Sequence, residues 1–414
     1  MRRTARRRSR QGELFPRCGE SLRIAGLFAG IGGIERGLHQ AGHKTEFLCE
    51  WDDPAQRVLR AHFDVSLVGD VCDLKARDVP PVDVLAGGFP CQDLSQAGRT
   101  EGIDGEKSGL VRQMFRLMRT MRPKPKWILV ENVPFMLQLE RGHAMRFLTD
   151  SLSDMGYTWA YRIVDTRAFG LPQRRRRVVL LASKTEDPRT VLFADEEGER
   201  SFEDVLGKTA YGFYWTEGVR GLGWGIDAIP TFKGGSTVGI PSPPAIWMPN
   251  GDIVTPAIRD AERLQGFPAD WTKHSVDDKK KRNGPRWKLV GNAVSVPLAH
   301  WVGRRLARPG VPILGRNREI VDDRWPIAAW GRKGRAFSVP DISPWPVRYK
   351  YKSLASFLID EPKLLSHRAT VGFRKRTQKG SLRFRPEFLD ALDEHIERMA
   401  ELEGQGPRRR AASA

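Results

Sequence analysis

Cysteine is scarce in this chain, and its spacing gives no sign of a metal site. The 414 residues include only four cysteines, none in a C-x-x-C pair: Cys18, Cys49, Cys72 and Cys91. A zinc site of the paired-cysteine type and a framework of disulfides are therefore not indicated. So few thiols are typical of a protein in a reducing compartment, and we expect no metal cofactor.

Long apolar runs are missing as well. No stretch approaches the roughly 20 consecutive apolar residues that a membrane-spanning helix needs. The amino-terminal sequence MRRTARRRSRQGELF contains arginines with no apolar segment behind them, which does not match a secretory signal. We therefore expect a cytoplasmic protein with no membrane partner.

Negative charge is in short supply. Lys and Arg number 69 whereas Asp and Glu number 50, which gives a net charge of +19 and a pI near 10.1. Solubility alone does not require so basic a surface, but a polyanionic partner favours it, most simply nucleic acid. Residues 1–17 form an arginine-rich arm that either contacts phosphates or is a solvated tail.

A regular alternation of apolar runs and amphipathic patterns extends from about Arg23 to Ser183. Five runs predict strands: RIAGLF, TEFLCE, VDVLAGG, KWILVEN and RRVVLLAS. Four segments predict helices: IERGLHQAG, DPAQRVLRAHF, SGLVRQMFRLMRTM and HAMRFLTDSLSDMG. Because strands that alternate with helices form βαβ units, we predict an α/β fold with a mostly parallel sheet.

Glycines crowd the turn after the first predicted strand. In LFAGIGGIERGL, Gly30, Gly32 and Gly33 allow a tight turn and the close approach of a ligand to the backbone. Glu35 stands where the G-x-G-x-x-G fingerprint has its third glycine, so binding of a pyrophosphate is only weakly indicated. A nucleoside cofactor without a pyrophosphate suits the same turn.

Acidic residues end the next two predicted strands. Glu50 in FLCEWD could accept hydrogen bonds from ribose hydroxyls, Trp51 offers a face to a purine, and Asp70 in LVGDV could bond an adenine amino group. Each carboxylate taken alone is better explained as a helix cap or a solvated strand end. Three successive strand ends that carry glycine, acid and acid together predict a nucleoside pocket.

A cysteine and a glutamate are predicted at the same edge of the sheet. Cys91 in GGFPCQDLS follows one strand and Glu131 ends another, and the carboxyl ends of strands are where open α/β sheets place their chemistry. A carboxylate beside a nucleophile can activate an electron-poor ring, although a buried structural thiol is an alternative for the cysteine. In the run 174–177, period-two geometry puts Arg175 and Arg177 on one face of a strand.

Six blocks follow one another along the chain: FAGIGG, GGFPCQDLS, ENV, PQRRRRV, RLQGFP and VGNAV. In type and order they resemble the DNA cytosine carbon-5 methyltransferases of bacterial type, from about Arg23 to Leu306. The resemblance implies a Rossmann-like, S-adenosylmethionine-dependent methyltransferase sheet with a small loop-rich target-recognition domain. It also implies methyl transfer from S-adenosylmethionine to carbon 5 of a cytosine flipped out of double-stranded DNA, through a covalent cysteine adduct and within a specific short sequence.

The resemblance assigns roles residue by residue. The implied catalytic groups are Cys91 as the nucleophile on carbon 6, Glu131 as the group that protonates or hydrogen-bonds nitrogen 3, and Arg175 near the target ring. The implied cofactor contacts are Phe28, Ala29, Gly30, Gly32, Gly33, Glu50, Trp51, Asp70, Pro90 and Asn292. The implied contacts to DNA, the target base or its loop are Gln92, Ser95, Asn132, Gln173, Arg177 and Lys233.

The expected organisation follows from the same blocks. A basic arm at 1–20 precedes a catalytic domain at 21–185, and a glycine- and aromatic-rich target-recognition domain at 186–255 is followed by a return to the catalytic domain at 256–306. An extension of unknown role occupies 307–414, and its apolar spacing predicts a helix from about Pro386 to Gly404. We expect a monomer in the bacterial cytosol, near the nucleoid, with restriction or phage-defence proteins as further partners.

Two positions depart from the family pattern, and other functions stay open. Leu289 and Asp260 stand where glutamine and glutamate are usual, and neither position performs chemistry. An RNA methyltransferase of the same fold would share Cys91 and Glu131, whereas a DNA-binding protein that has lost catalysis would not need them. Amino-group methylation is disfavoured because PPVD and SPPA lack the expected aromatic residue, and an oxidoreductase fits neither the glycine spacing nor the arginine block.

Overall fold

The computed structural model describes residues 19, 21–89, 109–233, 243–276 and 284–404. Four of the predicted site residues lie outside these ranges: Pro90, Cys91, Gln92 and Ser95. Nearly all of the basic arm predicted at 1–20 lies outside them too.

Parallel strands form one half of a large sheet. These strands are β1 (Arg23–Leu27), β2 (Lys44–Cys49), β3 (Ser66–Val68), β4 (Val84–Gly87) and β5 (Trp127–Asn132). Between them lie α1 (Gly33–Gln40), α2 (Asp53–His62) and α3 (Leu110–Thr120). The spatial order is β3-β2-β1-β4-β5, and every neighbouring pair is parallel. We call the edge where these strands end the carboxyl edge of the sheet.

The sheet continues with antiparallel strands. Helix α4 (His143–Asp154) leads into β6 (Thr158–Asp165), and β7 (Gln173–Arg174) precedes β8 (Arg176–Ser183). Strand β8 lies between β5 and β6 and is antiparallel to both, in a register that sets Glu131 opposite Val179. The prediction of a mostly parallel sheet is therefore correct for β1 to β5 and wrong beyond β5, because β8 returns beside β5 before the sheet continues to β6.

Short elements follow, and some of them build a second sheet. They are α5 (Arg189–Leu192), β9 (Tyr211–Phe213), β10 (Gly225–Ile226), β11 (Ile229–Pro230), β12 (Ala245–Trp247), β13 (Ile253–Thr255), α6 (Ile258–Arg263), α7 (Gly284–Asn292) and α8 (Val296–Ala307). Strands β10, β9, β12 and β13 form a small antiparallel sheet in that order. Strand β11 pairs with β7 instead, with Ile229 opposite Gln173. This pairing attaches the segment between β10 and β12 to the chain just before β8, beyond the carboxyl edge of the large sheet.

Residues beyond 307 extend both sheets. Strands β14 (Arg318–Glu319), β15 (Ala328–Arg332) and β16 (Arg335–Ser338) continue the large sheet from β6, in the order β6-β15-β16-β14. The chain then forms α9 (Leu354–Phe357), β17 (Lys363–Leu364), α10 (His367–Thr377) and α11 (Pro386–Gly404), and β17 pairs with β13 of the small sheet. The predicted helix from Pro386 is confirmed as α11, with Phe388 and Leu392 buried.

Helices cover both faces of the large sheet. On one face α3 and α4 bury Met118 and Leu148, and on the other α1 and α8 bury Leu38 and Trp301. Burial of each such side chain stabilises the fold by about 1.5–3 kcal/mol. This three-layer arrangement confirms the predicted α/β fold. Within the described ranges, no helix is both long and apolar enough to cross a membrane.

The small sheet shares its core with the two last helices. The ring of Phe213 lies 5.1 Å from that of Phe373 in α10 and 5.0 Å from that of Phe388 in α11, and Trp247 lies 5.5 Å from Phe388. Leu365 and Leu392 belong to the same cluster. We call β9, β10, β12, β13, β17, α10 and α11 together the small-sheet module.

Candidate active site

A cavity of about 560 Å³ opens at the carboxyl edge of the large sheet. Its volume falls in the range of roughly 300–1,000 Å³ that is usual for small-molecule sites. Ten of the predicted site residues line it: Phe28, Gly30, Glu50, Trp51, Asp70, Glu131, Asn132, Arg175, Arg177 and Asn292. Five other described residues from the prediction do not line it: Ala29, Gly32, Gly33, Gln173 and Lys233.

The three glycines of the turn serve different purposes. Gly30 has a φ of +57°, and a Cβ there would meet nothing within 4 Å, so its backbone borders open space in the cavity. A Cβ on Gly32 would overlap the Phe63 ring, and a Cβ on Gly33 would overlap the carbonyl oxygen of Val294. Gly30 therefore shapes the pocket, whereas Gly32 and Gly33 let neighbouring elements pack closely around it.

Replacing Gly33 with alanine is expected to lower the free energy of unfolding by about 1–3 kcal/mol, because the methyl group would displace the backbone at Val294. Gly372→Ala is the matched control at a half-buried position in α10, where only the end of the Arg376 side chain is near and alanine should stabilise by about 0.5–1 kcal/mol. Urea denaturation measures both effects. Equal free energies of unfolding for Gly33→Ala and the wild type would contradict the packing role.

Glu50 organises the turn through two backbone bonds. One carboxylate oxygen accepts the N–H of Gly30 at 2.7 Å, and the other accepts the N–H of Asp52 at 2.8 Å. Burial raises the pKa of Glu50, while the hydrogen bonds from Asp52 and Gly30 lower it. The carboxylate is thus fixed at the cavity wall, with lone pairs left to accept hydroxyl groups of a ligand.

Three further side chains define the same end of the cavity. The indole of Trp51 is 75% exposed, and it offers a flat apolar face to a ligand ring. Phe28 has a φ of 54°, an uncommon backbone conformation for a bulky residue that tends to occur at functional sites. One carboxylate oxygen of Asp70 accepts the N–H of Cys72 at 2.8 Å. Together these features suit a flat heterocycle linked to a polar, hydroxylated group.

Glu131 lies at the other end of the cavity, almost fully buried. Its carboxylate is 3.0 Å from Nε of Arg177, and a Cβ on Gly88 would lie 3.5 Å from its second oxygen. Burial raises the pKa of Glu131, and the positive charges of Arg177 and Arg175 act in the opposite direction. The net direction is upward, so the carboxyl group can hold a proton closer to neutral pH than a solvated glutamate does.

Asn132 connects this glutamate to the strand that precedes Cys91. Its side-chain amide donates to the carbonyl oxygen of Phe89 at 3.0 Å, and its amide oxygen accepts the N–H of Val133 at 2.8 Å. Phe89 is two residues before Cys91 in the sequence, although Cys91 itself lies outside the described residues. The end of β4 is therefore tied to the end of β5.

The arginines alternate as the sequence predicts: Arg175 and Arg177 are buried, whereas Arg174 and Arg176 are exposed. The two buried guanidinium groups differ in their partners. Arg175 donates to the carbonyl oxygens of Gly291 at 3.1 Å and Ala293 at 2.5 Å, so it fastens the VGNAV segment, whereas Arg177 faces Glu131.

Two other predicted residues contact protein groups away from the cavity. The Gln173 amide donates to the carbonyl oxygen of Leu264 at 3.0 Å, which anchors β7 to the RLQGFP block. Lys233 forms an ion pair with Glu217, and its Nζ lies 4.1 Å from the centre of the Tyr214 ring. Lys233 therefore belongs to the surface beside the small sheet.

An ion pair at the rim of the cavity did not emerge from the sequence. Nζ of Lys288 lies 3.0 Å from a carboxylate oxygen of Asp52, and both residues line the cavity. This pair bridges α7 to the residue before α2. Lys288 precedes VGNAV by two positions, but a lone lysine beside a motif carries no signal of its partner.

Glu35 is a buried acid, and its burial was not predicted from the sequence. Only 1% of the residue is exposed, and Oε2 has no hydrogen-bond partner in the described part of the chain. A Cβ on Gly26 of β1 would overlap its carboxylate, so the glycine makes room for the acid. Burial raises the pKa of Glu35 to about 7, with a smaller contribution from the charge of Glu50.

Replacing Glu35 with glutamine is expected to stabilise the protein increasingly as the pH rises. The pKa is 4.5 in the unfolded chain and about 7 when folded, so the folded state binds the proton more tightly and wild-type stability falls between these pH values. Above pH 7 the variant should be more stable by about 3 kcal/mol, and near pH 4.5 the two should converge. Urea denaturation across this range, with the exposed Glu394→Gln as control, tests the result; a pH-independent difference would contradict it.

The described residues contain no group of three or more His, Cys, Asp or Glu side chains arranged to hold a metal ion. The geometry of the cavity instead places a carboxyl group and a guanidinium at one end and a hydrogen-bonded acid and an indole at the other.

Comparison with known proteins places this geometry in a family. A model of C-5 cytosine-specific DNA methylases matches residues 22–209. Type II methyltransferase M2.BsuMI of Bacillus subtilis (strain 168) is 49% identical over 385 residues, which cover 90% of this chain and 97% of that protein. Type II methyltransferase M.HaeII of Haemophilus aegyptius is 29% identical over 301 residues, which cover 66% and 88% of the two chains.

A solved structure agrees at the level of the fold. The Entamoeba histolytica methyltransferase EhMeth has a TM-score of 0.50 to this chain at 16% identity, and the match covers 69% of this chain and 98% of that chain. The similarity to M2.BsuMI extends well beyond the segment that the family model matches and includes most of the residues after 307. The chain therefore belongs to the C-5 cytosine-specific DNA methylases and is a DNA cytosine-5-methyltransferase.

Proposed function

We propose that this enzyme transfers a methyl group from S-adenosylmethionine to carbon 5 of a cytosine flipped out of double-stranded DNA, through a transient bond to Cys91. The observation that carries the proposal is the arrangement around Glu131. This buried carboxyl group contacts Arg177, and its neighbour Asn132 holds the carbonyl of Phe89, two residues before Cys91. A proton donor and a thiol would then flank one small, planar ring.

The other end of the cavity fits the methyl donor. The carboxylate of Glu50 suits two ribose hydroxyls, the exposed indole of Trp51 suits a purine face, and Asp70 suits an exocyclic amino group. The open space at Gly30 allows a ligand to approach the backbone closely. S-adenosylmethionine, when bound, supplies an electrophilic methyl group on its sulfonium.

The residues of this chain would manage charge on the pyrimidine. The thiolate of Cys91 bonds to carbon 6, and Glu131 gives a proton to nitrogen 3, which takes up the negative charge that the attack would leave on the ring. A raised pKa of Glu131 favours the protonated form that this step needs. Arg177 stabilises the carboxylate that remains and keeps it oriented towards the ring.

The remaining steps would transfer the methyl group and release the enzyme. Carbon 5, made nucleophilic by the bond at carbon 6, would supply the electron pair of the new carbon–carbon bond to the methyl group. The pair of the broken sulfur–methyl bond would stay on the sulfur of the donor, which leaves as a neutral thioether. A water molecule then removes the proton on carbon 5, the electron pair restores the ring double bond, and the thiolate leaves carbon 6. Nitrogen 3 returns its proton to Glu131. Because carbons 5 and 6 are shielded within a stacked duplex, the base must leave the helix for this chemistry.

The cellular setting we propose is a restriction-modification system with a short, specific DNA sequence. The relatives M2.BsuMI and M.HaeII are named Type II methyltransferases, and the first is similar over nearly its whole length. Methylation of one short recognition sequence would protect host DNA from a partner endonuclease that cuts the same sequence. The high net positive charge of +19 suits a DNA substrate.

Bisulfite sequencing of a plasmid from cells that express the protein would test the proposal. We expect cytosines that are protected from bisulfite conversion at one short recognition sequence, and none in plasmid from cells with the empty vector. Transfer RNA from the same cells is sequenced in parallel. If cytosines are protected in transfer RNA and none are protected in the plasmid, the enzyme would be an RNA methyltransferase. That result would overturn the proposal that the flipped cytosine belongs to DNA.

A further inference from the structure

A basic segment of the extension contains no compensating acids. Residues 367–385 hold five arginines and two lysines, and they include neither aspartate nor glutamate. This segment comprises α10 and the loop that leads into α11. It follows the part of the chain that the six sequence blocks span, so none of the motifs accounts for it.

Some of these cations already have partners within the fold. Arg374 forms an ion pair with Asp393, and Arg385 forms one with Asp204. Arg376 donates to the carbonyl oxygens of Glu217 at 2.9 Å and Trp215 at 2.7 Å, which fixes α10 against the small sheet. These side chains serve the packing of the small-sheet module.

Four other cations are exposed and have no ion pair or hydrogen bond from their side chains in the part of the chain that the structure describes: Arg368, Lys375, Lys379 and Arg383. We call them the α10 cations. Phe373 and Thr377 fill the buried face of α10, so Arg368 and Lys375, seven residues apart, project together from the opposite face. Lys379 and Arg383 continue this surface along the loop.

The surface is connected to the strand that carries the buried arginines. Gly218 packs against the Phe373 ring, and a Cβ on Gly380 would overlap the backbone of Val219, so α10 and its loop lie directly on residues 215–219. Glu217 in this stretch pairs with Lys233. The hydroxyl of Tyr214 donates to the carbonyl oxygen of Thr231 at 2.6 Å.

The connection continues from there to β7. The hydroxyl of Thr231 donates to the carbonyl oxygen of Arg174 at 3.0 Å, and β11 pairs with β7. Because β7 leads directly into Arg175 and Arg177, a continuous series of contacts extends from the cavity to α10 and its loop, which carry the α10 cations. A duplex with its target base in the cavity would therefore extend over the small-sheet module.

We propose that the α10 cations bind phosphates of the DNA duplex beside the target base, an inference that rests on the proposed function. Seven residues of helix span about 10 Å, which matches roughly three phosphates along one strand. An acidic protein partner could also neutralise such a surface, but the surface is connected through β11 and β7 to the buried arginines that line the cavity, and this favours the duplex. Phosphate contacts position DNA without reading its sequence, so this surface adds affinity rather than specificity.

The test is a variant with all four cations changed: Arg368→Gln, Lys375→Gln, Lys379→Gln and Arg383→Gln. DNA binding is titrated at several salt concentrations, and methylation of a plasmid fragment is measured on the same samples. We expect the slope of log K against log salt to become shallower by about 2–4, because each lost contact removes roughly 0.9. The KM for DNA should rise about tenfold or more at physiological salt, with kcat at saturating DNA and the affinity for S-adenosylmethionine unchanged.

The control removes the same charge from the opposite edge of the large sheet: Lys184→Gln, Arg308→Gln, Arg332→Gln and Lys333→Gln. These residues are exposed near the amino ends of the parallel strands, away from the cavity. The control should keep the wild-type slope. Equal slopes for the two variants, or a wild-type KM in the first, would overturn the inference.

A second variant serves if circular dichroism shows that the first one does not fold. It carries only Lys379→Gln and Arg383→Gln, which lie in the loop, and its slope should change by about 1–2. Absence of methylation by the wild-type enzyme would instead refute the proposed function.

Discussion

Cys91→Ala is expected to abolish methyl transfer while S-adenosylmethionine binds almost as tightly as to the wild type. Without the thiol no bond forms to carbon 6, so carbon 5 never becomes nucleophilic enough to take the methyl group. The predicted cofactor contacts Glu50, Trp51 and Asp70 line the cavity at the end away from Glu131, and the substitution leaves them unchanged. Transfer of labelled methyl groups to DNA, with calorimetry for cofactor binding, measures both quantities.

Cys18→Ala is the control for this experiment because it removes a thiol far from the GGFPCQDLS block in sequence, and it should methylate at the wild-type rate. A duplex that carries 5-fluorocytosine at the target position gives an independent readout. The fluorine cannot leave as a cation, so the wild type should remain covalently bound to the DNA and Cys91→Ala should not. Methylation by Cys91→Ala at a rate comparable to the wild type would remove the cysteine from the mechanism.

Local patterns were sufficient to find the strand ends that build the cavity. Gly30, Glu50 and Asp70 follow three successive apolar runs, and parallel strands bring their carboxyl ends to one edge whatever the details of packing. Glu131 was predicted for the same reason. Some of their hydrogen bonds are local, such as the one that Asp70 accepts from the N–H of Cys72. The bond from Gly30 to Glu50 and the ion pair of Glu131 with Arg177 join segments that are distant in the sequence, and spacing could not predict them.

The two buried arginines have different partners, and the sequence could not assign them. Period-two geometry puts Arg175 and Arg177 on one face but cannot say which one meets Glu131. The register of β8 decides it: Val179 lies opposite Glu131, so Arg177 is the diagonal neighbour, while Arg175 lies beyond the end of β5 and meets the segment at Gly291. The direction and register of β8 depend on its pairing with both β5 and β6, so a short stretch of sequence does not predict them.

The extension after residue 307 was the least predictable part. Its strands are two to five residues long, and two of them, β15 and β17, pair with strands that lie more than 100 residues earlier, β6 and β13. Apolar periodicity found α11 because a helix of nineteen residues carries its own signal. Strands this short do not, since their stability comes from non-local pairing and from the aromatic cluster around Phe213 and Phe388.

The second large effect is expected from Glu131→Gln. Glutamine keeps the shape of the side chain and can donate a hydrogen bond, but it cannot give a proton to nitrogen 3. We expect kcat to fall by about 10²–10⁴-fold, the usual contribution of general acid catalysis, with the KM for DNA changed much less. Because the acid must be protonated to act, wild-type kcat should decrease as the pH rises above the raised pKa of Glu131, and this alkaline limb should be absent in the variant.

Loss of a buried ion pair could lower activity merely by loosening the fold, and Glu196→Gln separates that effect from chemistry. Glu196 is the carboxylate partner of the fully buried Arg162, away from the residues that line the cavity. Both substitutions leave a buried guanidinium without its carboxylate, which costs about 3–5 kcal/mol of folding free energy. Glu196→Gln should lose stability yet keep its kcat and its alkaline limb at a temperature where it remains folded. A similar fall in kcat for both variants would assign Glu131 to structure, whereas a fall confined to Glu131→Gln identifies it as the acid that acts on the ring.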